Sequence, residues 1–397
     1  MLFDGKIKTV LIFVFSCIVL SSCDRTKIEW ELSDPVDLPA ANVNLYIENS
    51  GSMEGYMRDG SSFKDAVFGY ITEINKYVGK TRFYFVNSRI LENNIPLDRL
   101  NETLSLGQFR QLGGDRTHTN LSNILKMILS RTNDSTVSVF VSDCILDLPQ
   151  GPARDYFISN QISTQAIVSD KLKSCKSLSF VVYRMMSHFD GYYYNSDGAQ
   201  KISVNRPFYI MLIGPWQLVS GITRNVSIAR IPGARLTTSV AFAPTHEPIR
   251  TFTNVQGNEN KRGNCTLLPD RNSNTYRIKL LSDMSSLFMD NKALMDKSTY
   301  KIEDRNVKLE YIEKIDNPNS PYTHVLTLSV PQQIKPSSIS IDVRRTPIPI
   351  WIKQANDNTG HFIGRTTTGI KYLLDGIGAA YEGEDIAEFN FVIKRSI

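Results

Sequence analysis

Residues 46–53 read Y-I-E-N-S-G-S-M and directly follow the start of the apolar run V-N-L-Y-I at 43–47. The run predicts a short buried strand, because such residues favour strands over turns. Two serines around a glycine, beside an acid, favour neither strand nor helix and predict a turn at the strand end. That turn carries two hydroxyls and a carboxylate, so its chemistry determines how the chain is interpreted.

Strand and helix patterns alternate from this turn up to residue 222. Apolar runs predict strands at 43–47, 82–86, 136–142, 179–183 and 208–214, and apolar residues at helical spacing predict helices at 63–78, 121–128 and 161–174. Nearly continuous apolar strands between amphipathic helices are typical of a parallel sheet covered on both faces. We therefore predict an α/β fold over residues 42–222: a doubly wound, mostly parallel, Rossmann-like sheet.

Residues 223–397 have a different pattern. Short strand signals at 339–344, 348–352 and 388–393 are separated by Pro, Asn and Gly. This pattern predicts a smaller, mainly-β module of the sandwich type. Apolar residues at helical spacing between 370 and 380 predict one helix packed on its sheet.

Three predicted loops should meet at one edge of the first sheet. In open α/β sheets, ligands bind at the carboxyl ends of the strands. The turn after the first strand lies there, and so should the loops G-G-D-R-T-H-T-N-L-S (113–122) and V-S-D-C (141–144). Carboxylates and hydroxyls without His or Cys are ligands that suit Mg²⁺. A magnesium site at this edge is the resulting prediction.

The three loops together resemble the metal-ion-dependent adhesion site of the von Willebrand factor type A domain. That family carries Asp-x-Ser-x-Ser after its first strand, then a Thr in a Gly-rich loop, then an Asp after a later strand. Ser50 and Ser52 match the two serines, and Asp143 matches the later acid. Thr119 is the best match to the threonine, with Thr117 as a nearby competitor. The resemblance covers residues 42–222 and implies a site for Mg²⁺ or Mn²⁺.

Two residues depart from the family pattern. Glu48 stands where the family has Asp, and its extra methylene moves the carboxylate by about one bond length. Cys144 follows Asp143 where the family commonly has Gly, and we interpret it as a small packing residue. His118, in the Gly-rich loop, is interpreted as a capping or solvent-facing side chain.

The resemblance implies a binding module more than an enzyme. The metal of such a site accepts a carboxylate from a partner protein, so we expect an unknown protein ligand. A first alternative is a metal-free scaffold, in which Glu48 does not support the metal. A second is a metal-assisted hydrolase with Ser50 or Ser52 as nucleophile. No histidine is placed as a base by the sequence and no G-x-S-x-G motif is present, which disfavours the hydrolase.

The N-terminus has the features of an export signal. Lys6 and Lys8 precede an apolar run at 10–20, which is too short to span a bilayer. The sequence L-S-S-C (20–23) follows at once and resembles the bacterial lipobox. It implies a signal peptide over residues 1–22, lipidation of Cys23 and a tether over 23–41. We therefore expect a lipoprotein anchored in the cell envelope, and Asp24 leaves open which membrane carries it.

The charge distribution and the cysteines argue against a nucleic-acid-binding protein and against a zinc site. The net charge of +5 is spread along the chain, and no basic stripe with interleaved aromatics indicates nucleic-acid binding. Cys17 lies in the signal and Cys23 is the lipidation residue, which leaves Cys144, Cys175 and Cys265. Three cysteines allow at most one internal disulfide, and none has the spacing of a zinc site.

Overall fold

The computed structural model describes residues 25–32, 37–92, 96–117, 120–146, 153–195, 198–253, 263–361 and 364–396. Its strands are β1 Arg25–Glu29, β2 Asn42–Glu48, β3 Lys80–Val86, β4 Ile90–Glu92, β5 Thr136–Ser142, β6 Leu178–Asn195, β7 Gly198–Pro215, β8 Leu236–Phe242, β9 Arg250–Thr253, β10 Asn264–Thr266, β11 Thr275–Ser282, β12 Tyr300–Ile302, β13 Lys308–Lys314, β14 His324–Pro331, β15 Ser337–Arg344, β16 Asn356–Asp357, β17 Thr367–Thr368 and β18 Asp385–Ser396. Its α-helices are α1 Phe63–Asn75, α2 Leu100–Thr103, α3 Leu106–Arg110, α4 Leu121–Arg131, α5 Ala153–Ser174, α6 Trp216–Asn225, α7 Asn291–Met295, α8 Ile350–Ala355 and α9 Ile370–Gly378.

The first sheet is mixed, with the strand order β4-β3-β2-β5-β7-β6-β8. Its parallel part is the trio β3, β2 and β5, in which Ile47 pairs with Phe85 on one side and Val141 on the other. Within the described chain, the sheet's other pairings are antiparallel. The predicted doubly wound, mostly parallel, Rossmann-like sheet is therefore wrong, since the described sheets are mostly antiparallel.

The prediction of a mostly parallel sheet failed because β6 and β7 form a long antiparallel hairpin. The apolar runs at 179–183 and 208–214 belong to β6 and β7, which pair antiparallel from Leu178–Pro215 out to Asn195–Gly198. Parallel neighbours need a crossover of a dozen or more residues, usually a helix, whereas antiparallel neighbours need only a turn. Residues 184–195 and 198–207 continue the two strands instead of forming such a helix. This part of the sheet therefore cannot be parallel.

The two faces of the mixed sheet bury different helices. One face packs apolar side chains of alternate strand residues, such as Leu45 and Val139, against α1 and α6. The opposite face packs the intervening residues, such as Tyr46 and Phe140, against α4, α5 and α9. This alternation is the period-2 pattern of strands. It leaves the ends of β2 and β5 at one edge, between the two helical layers.

Two antiparallel sheets form the other half of the molecule. A five-stranded sheet has the order β10-β1-β18-β15-β12, and a four-stranded sheet has the order β13-β14-β11-β9. Their side chains share one apolar core that includes Ile28, Phe252, Leu326 and Phe389. β1 comes from the segment predicted as a tether and pairs with both β10 and β18.

Segments of the predicted C-terminal module also complete the mixed sheet. β8 pairs with β6 at the edge of that sheet, and α9 packs against α5 rather than on the antiparallel sheets. The strand predicted at 348–352 is wrong, because α8 begins at Ile350 with Pro349 as its N-cap. Proline donates no backbone hydrogen bond to a strand ladder but is tolerated at a helix start.

Candidate functional site

The strand β2 ends at Glu48, whose carboxylate is buried. The Ser142 hydroxyl, at the end of β5, donates a hydrogen bond to Glu48 Oε2. The Cys144 N–H donates in turn to Ser142 Oγ at 2.7 Å. Cys144 has a φ of 54°, in the left-handed region that non-glycine residues rarely adopt. The chain therefore turns sharply after β5, which leaves Asp143 at the edge of the sheet.

The two serines and Asp143 lie together at this edge. Ser50 Oγ and Ser52 Oγ are 3.0 Å apart and share a hydrogen bond. Asp143 is 1 % exposed, and its Oδ1 accepts from the Ile145 N–H at 3.4 Å. Burial raises the pKa of the Asp143 carboxyl, while Arg206 and the Ser52 hydroxyl oppose that shift. Among the described residues, Asp143 Oδ2 has no hydrogen-bond partner.

Arg206, on β7, brings a positive charge to the same place. Its Nη2 lies 3.9 Å from Asp143 Oδ2, and both side chains are 1 % exposed. The guanidinium carbon lies 4.7 Å from the ring centres of Phe189 and Tyr193. Sequence reasoning did not select Arg206. Its position two residues before the apolar run that starts at 208 gives no local signal for a contact with Asp143.

The Gly-rich loop is fixed against the serine turn by main-chain and side-chain contacts. The Gly51 N–H donates to the Arg116 carbonyl at 3.2 Å. Arg116 donates to Asn49 Oδ1 at 2.5 Å and to Glu54 Oε1 at 2.8 Å. Burial raises the pKa of Glu54, but hydrogen bonds from Arg110 and Arg116 outweigh it and hold that pKa below its usual value. The loop and the turn thus form one unit.

Of the two threonines considered as ligands, Thr117 lies within the described residues. Thr117 is exposed and donates its hydroxyl to Asp115 Oδ1 at 2.6 Å. Thr119 and His118 lie outside the described residues, as does Cys23. The structure therefore brings together Glu48, Ser50, Ser52 and Asp143 at one edge, and it places Thr117 in a separate hydrogen-bonded turn. Cys144 is buried in the apolar layer with α4 and α5.

The β6–β7 hairpin covers the serine turn. A Cβ on Gly51 would lie 3.4 Å from the Tyr194 ring, and one on Gly191 would lie 2.7 Å from the Cα of Gly55. Of the three consecutive tyrosines, Tyr193 is buried, whereas Tyr192 and Tyr194 are about half exposed. Tyr193 therefore packs inside the structure, and the other two tyrosines lie at the surface.

A segment near the C-terminus closes the edge from the other side. The Leu146 N–H donates to the Thr368 carbonyl at 3.0 Å. The Tyr193 hydroxyl lies 3.1 Å from Thr368 Oγ1, and the same threonine contacts Asp357 Oδ2 at 3.4 Å. The edge is therefore assembled from residues distant in sequence, including β16 and β17.

The possible ligand atoms at this edge are oxygens, which are the ligands that a hard divalent cation prefers. Among the described residues, no group of three or more His, Cys, Asp and Glu side chains is arranged to hold a metal. A site built here would instead use the hydroxyls of Ser50 and Ser52 with the carboxylate of Asp143. The orphaned Oδ2 of Asp143 supports this donor set, because buried polar atoms without a partner often mark a water or an ion. Arg206 opposes it, because its positive charge repels a cation.

No helix within the described parts of the chain is both long and apolar enough to cross a membrane. Comparison of the chain with protein-family models, with curated proteins and with solved structures found no match.

Proposed function

We propose that this protein is a lipid-anchored binding protein of the cell envelope, with a divalent-cation site at the edge formed by Ser50, Ser52 and Asp143. Mg²⁺ or Mn²⁺ would be held there, and a carboxylate of a partner protein would complete its coordination. The observation that carries this proposal is the fully buried Asp143 Oδ2 without a hydrogen-bond partner among the described residues. Leaving such an oxygen unsatisfied costs about 1–3 kcal/mol, which a bound cation would offset.

The charges at the edge support a partner of this chemistry. Glu48 and Asp143 contribute two negative charges in their ionised forms, and Arg206 contributes one positive charge. A divalent cation would leave the edge with an excess of positive charge in a largely buried setting. Such an excess favours an anionic group from outside, and a protein carboxylate has suitable geometry for Mg²⁺.

Thermal unfolding with and without metal tests the proposal. A ligand that binds the native state alone raises stability by mass action. We expect saturating Mg²⁺ or Mn²⁺ to raise the Tm of the wild type, EDTA to reverse the rise, and Asp143→Asn to abolish it. Asp270→Asn is the matched control, since Asp270 lies in the antiparallel half. An equal rise in wild type and Asp143→Asn would place the metal elsewhere.

One observation favours a metal-free scaffold as a second candidate. The guanidinium of Arg206 already supplies a positive charge 3.9 Å from Asp143. In this interpretation the edge holds the loops together and binds no ion. A wild-type Tm that is insensitive to both Mg²⁺ and EDTA, in a correctly folded protein, would support the scaffold.

The anchor needs a separate test, because Cys23 lies outside the described residues. We expect Cys23→Ala to release the protein from membranes, since a short apolar signal cannot hold a cleaved chain. Palmitate labelling and membrane sedimentation at high salt measure this, with Cys17→Ala as the matched control. A Cys23→Ala protein that still sediments with membranes would contradict lipid anchoring.

A further inference from the structure

A second concave site contains none of the predicted metal ligands. It is a cleft of about 460 Å³ between the edge strand β8 and the segments 285–290 and 345–349. We call it the edge cleft. Its wall is partly apolar and partly polar: Phe242, Phe288 and Ile348 are among the lining side chains, and Arg345 and Asp290 are its charged groups.

The backbone of β8 is partly open toward the edge cleft. In an antiparallel pair, the main-chain groups of alternate residues face the partner strand and those of the residues between them face away. The Ser239 carbonyl accepts from Trp351 Nε1 at 3.2 Å, and the Ala243 carbonyl accepts from Arg345 Nη1 at 2.7 Å, so the odd-numbered residues of β8 face away from β6. Between these two bonds, the main-chain groups of Ala241 make no hydrogen bond to a described residue outside the pairing of β8 with β6. An open stretch of sheet edge is a template for an added strand.

Arg345 lies at one end of this open stretch without an ionic partner. Its Nη atoms donate only to the carbonyls of Ala243 and Asp385. Its Nε has no hydrogen-bond partner, and no carboxylate of the described residues lies within 4.0 Å of it. Burial lowers the pKa of Arg345, while Tyr381 and Asp385 oppose that shift. An anion entering the cleft would compensate the positive charge of Arg345.

Two features of the wall indicate a site shaped for a ligand. Ile348 lines the cleft and is 52 % exposed, so it presents apolar surface to solvent. Phe288 has a φ of 53°, a conformation that costs a bulky residue free energy and that clusters at functional sites. Both residues and Ala241 line the same cleft.

We propose that the edge cleft binds the C-terminal end of an extended peptide, which adds to β8 beside Ala241 and places its free carboxylate against Arg345. Main-chain hydrogen bonds to a sheet edge and capture of a terminal carboxylate are two established forms of peptide recognition. The bound chain ends at Arg345 because the Ala243 carbonyl beyond it is already engaged. Apolar side chains of the peptide would cover Phe288 and Ile348. The proposal is independent of the metal site, because the two sites share no residue.

Two matched peptides test the proposal. The probe is an N-acetylated hexapeptide of alternating Thr and Val with a free C-terminal carboxylate, and its comparison is the same peptide ending in an amide. Charge-assisted hydrogen bonds are roughly twice as strong as neutral ones, so we expect the carboxylate form to bind at least about tenfold more tightly by calorimetry. Arg345→Gln should remove that difference, whereas Arg344→Gln, at an exposed neighbour, should preserve it.

A second pair of variants keeps the test valid if Arg345→Gln fails to fold. Ile348→Ser should weaken peptide binding severalfold, because it removes apolar wall. Ile350→Ser should not, because Ile350 is 67 % exposed and lies outside the cleft. Hydrogen exchange measured on peptic fragments that span residues 236–243 should slow when the carboxylate peptide is bound. EDTA should change none of these results.

Three results would overturn the proposal. One is equal binding of the two peptides to the wild type, and another is no binding up to solubility. The third is exchange protection by decanoate but not by the peptide, which would assign the cleft to a fatty acid rather than to a strand.

Discussion

Two buried-charge regions of this molecule differ in where the compensating negative charge comes from. At the edge with the serine turn, Arg206 faces the carboxylate of Asp143 at 3.9 Å, and both side chains are buried. At the edge cleft, Arg345 contacts carbonyl oxygens alone and remains partly accessible. The first arginine has an internal partner, whereas the second lacks a carboxylate among the described residues.

The difference shows how position in the sheet determines the chemistry of a charge. Arg206 is on β7, near the centre of the mixed sheet, where helices, the hairpin and the short strands β16 and β17 exclude water. A charge in such a place is tolerated only when it is paired. Arg345 directly follows β15, at the end of that strand, where carbonyl acceptors and solvent share its solvation. The first region is therefore suited to a small internal ion, and the second to a larger external ligand.

The largest predicted effect is the difference in the free energy of unfolding between a variant without Arg206 and a variant without Arg345. Arg206→Met leaves Asp143 buried without its countercharge, and breaking a buried pair in this way costs about 3–5 kcal/mol. Arg345→Met leaves no buried carboxylate behind and should cost about 1–2 kcal/mol through its lost hydrogen bonds. Urea unfolding at pH 7 in EDTA measures both values.

The double variant Arg206→Met with Asp143→Asn is the control. It removes both charges, so it should recover part of the stability that Arg206→Met loses. Saturating Mg²⁺ should also stabilise Arg206→Met more than the wild type, because the repelling guanidinium is gone. Equal losses from Arg206→Met and Arg345→Met would abolish the distinction between the two regions.

The half with the mixed sheet and the half with the antiparallel sheets are in contact at His246. Protonation of this histidine should give the next largest change in stability. Its ring stacks on Trp216 at 3.9 Å, and its nitrogens contact the Pro244 carbonyl and the Ser286 hydroxyl. Burial lowers the pKa of His246 to about 4, with Arg345 adding to the shift and the Pro244 hydrogen bond opposing it. The unfolded chain therefore binds the proton more tightly than the native protein between about pH 4 and pH 6.5.

The free energy of unfolding is therefore unaffected by His246 above about pH 6.5, where the ring is neutral in both states. It decreases as the pH falls from about 6.5 to about 4. Part of the ring still reaches solvent, so we expect a loss of about 2 kcal/mol rather than the full value of the shift. Urea unfolding from pH 4 to pH 7.5 measures it. His246→Gln should flatten this dependence, and His188→Gln, at a half-buried histidine elsewhere, should not. An unchanged slope in His246→Gln would assign the dependence to carboxylates.

The parallel part of the sheet could be predicted from the sequence, and the antiparallel part could not. The runs at 43–47, 82–86 and 136–142 lie within β2, β3 and β5, because each is apolar and separated from the next by helical spacing. The runs at 179–183 and 208–214 are equally apolar, but periodicity alone does not give strand direction. The polar residues between them, which extend the hairpin, held that information.

The candidate site was also predictable only in part. Turn chemistry and strand-end position selected Ser50, Ser52 and Asp143, which the structure brings to one edge. Arg206 and Thr368 were not selectable, because their contacts depend on the hairpin and on a segment more than two hundred residues from Asp143 in the chain. Long-range pairing of this kind leaves no local pattern.

Removing the serine hydroxyls sharpens the comparison without touching either arginine. Ser50→Ala with Ser52→Ala deletes the hydrogen bond between the two serines and the one from Ser52 to Asp143, so the metal-free protein should lose about 1–3 kcal/mol. The rise in Tm with Mg²⁺ should nevertheless disappear. Calorimetry with Mg²⁺ and Mn²⁺ measures binding directly. Ser61→Ala with Ser62→Ala, whose hydroxyls contact Ser187, is the matched control and should bind metal like the wild type.

Glu48→Asp gives the smallest expected change and the finest distinction between a metal site and a metal-free edge. Shortening the side chain draws its carboxylate away from the Ser142 hydroxyl, so in EDTA the variant should lose about 1 kcal/mol. If Glu48 supports the metal by charge and by orienting bound water, the Tm rise with Mg²⁺ should be at least as large in Glu48→Asp as in wild type. Glu48→Ala should then show a smaller rise than either.

The acid nearest in sequence supplies the control for that series. Glu54→Asp shortens a carboxylate that pairs with Arg110 and Arg116, so its Tm rise with Mg²⁺ should match that of the wild type. Suppose instead that the wild type shows no rise and that only Glu48→Asp gains one. The extra methylene of Glu48 would then be what excludes the metal, and Arg206 would be the resident cation of this edge. Both regions would in that case rely on arginine alone, and they would differ only in whether the anion is internal or supplied by a partner.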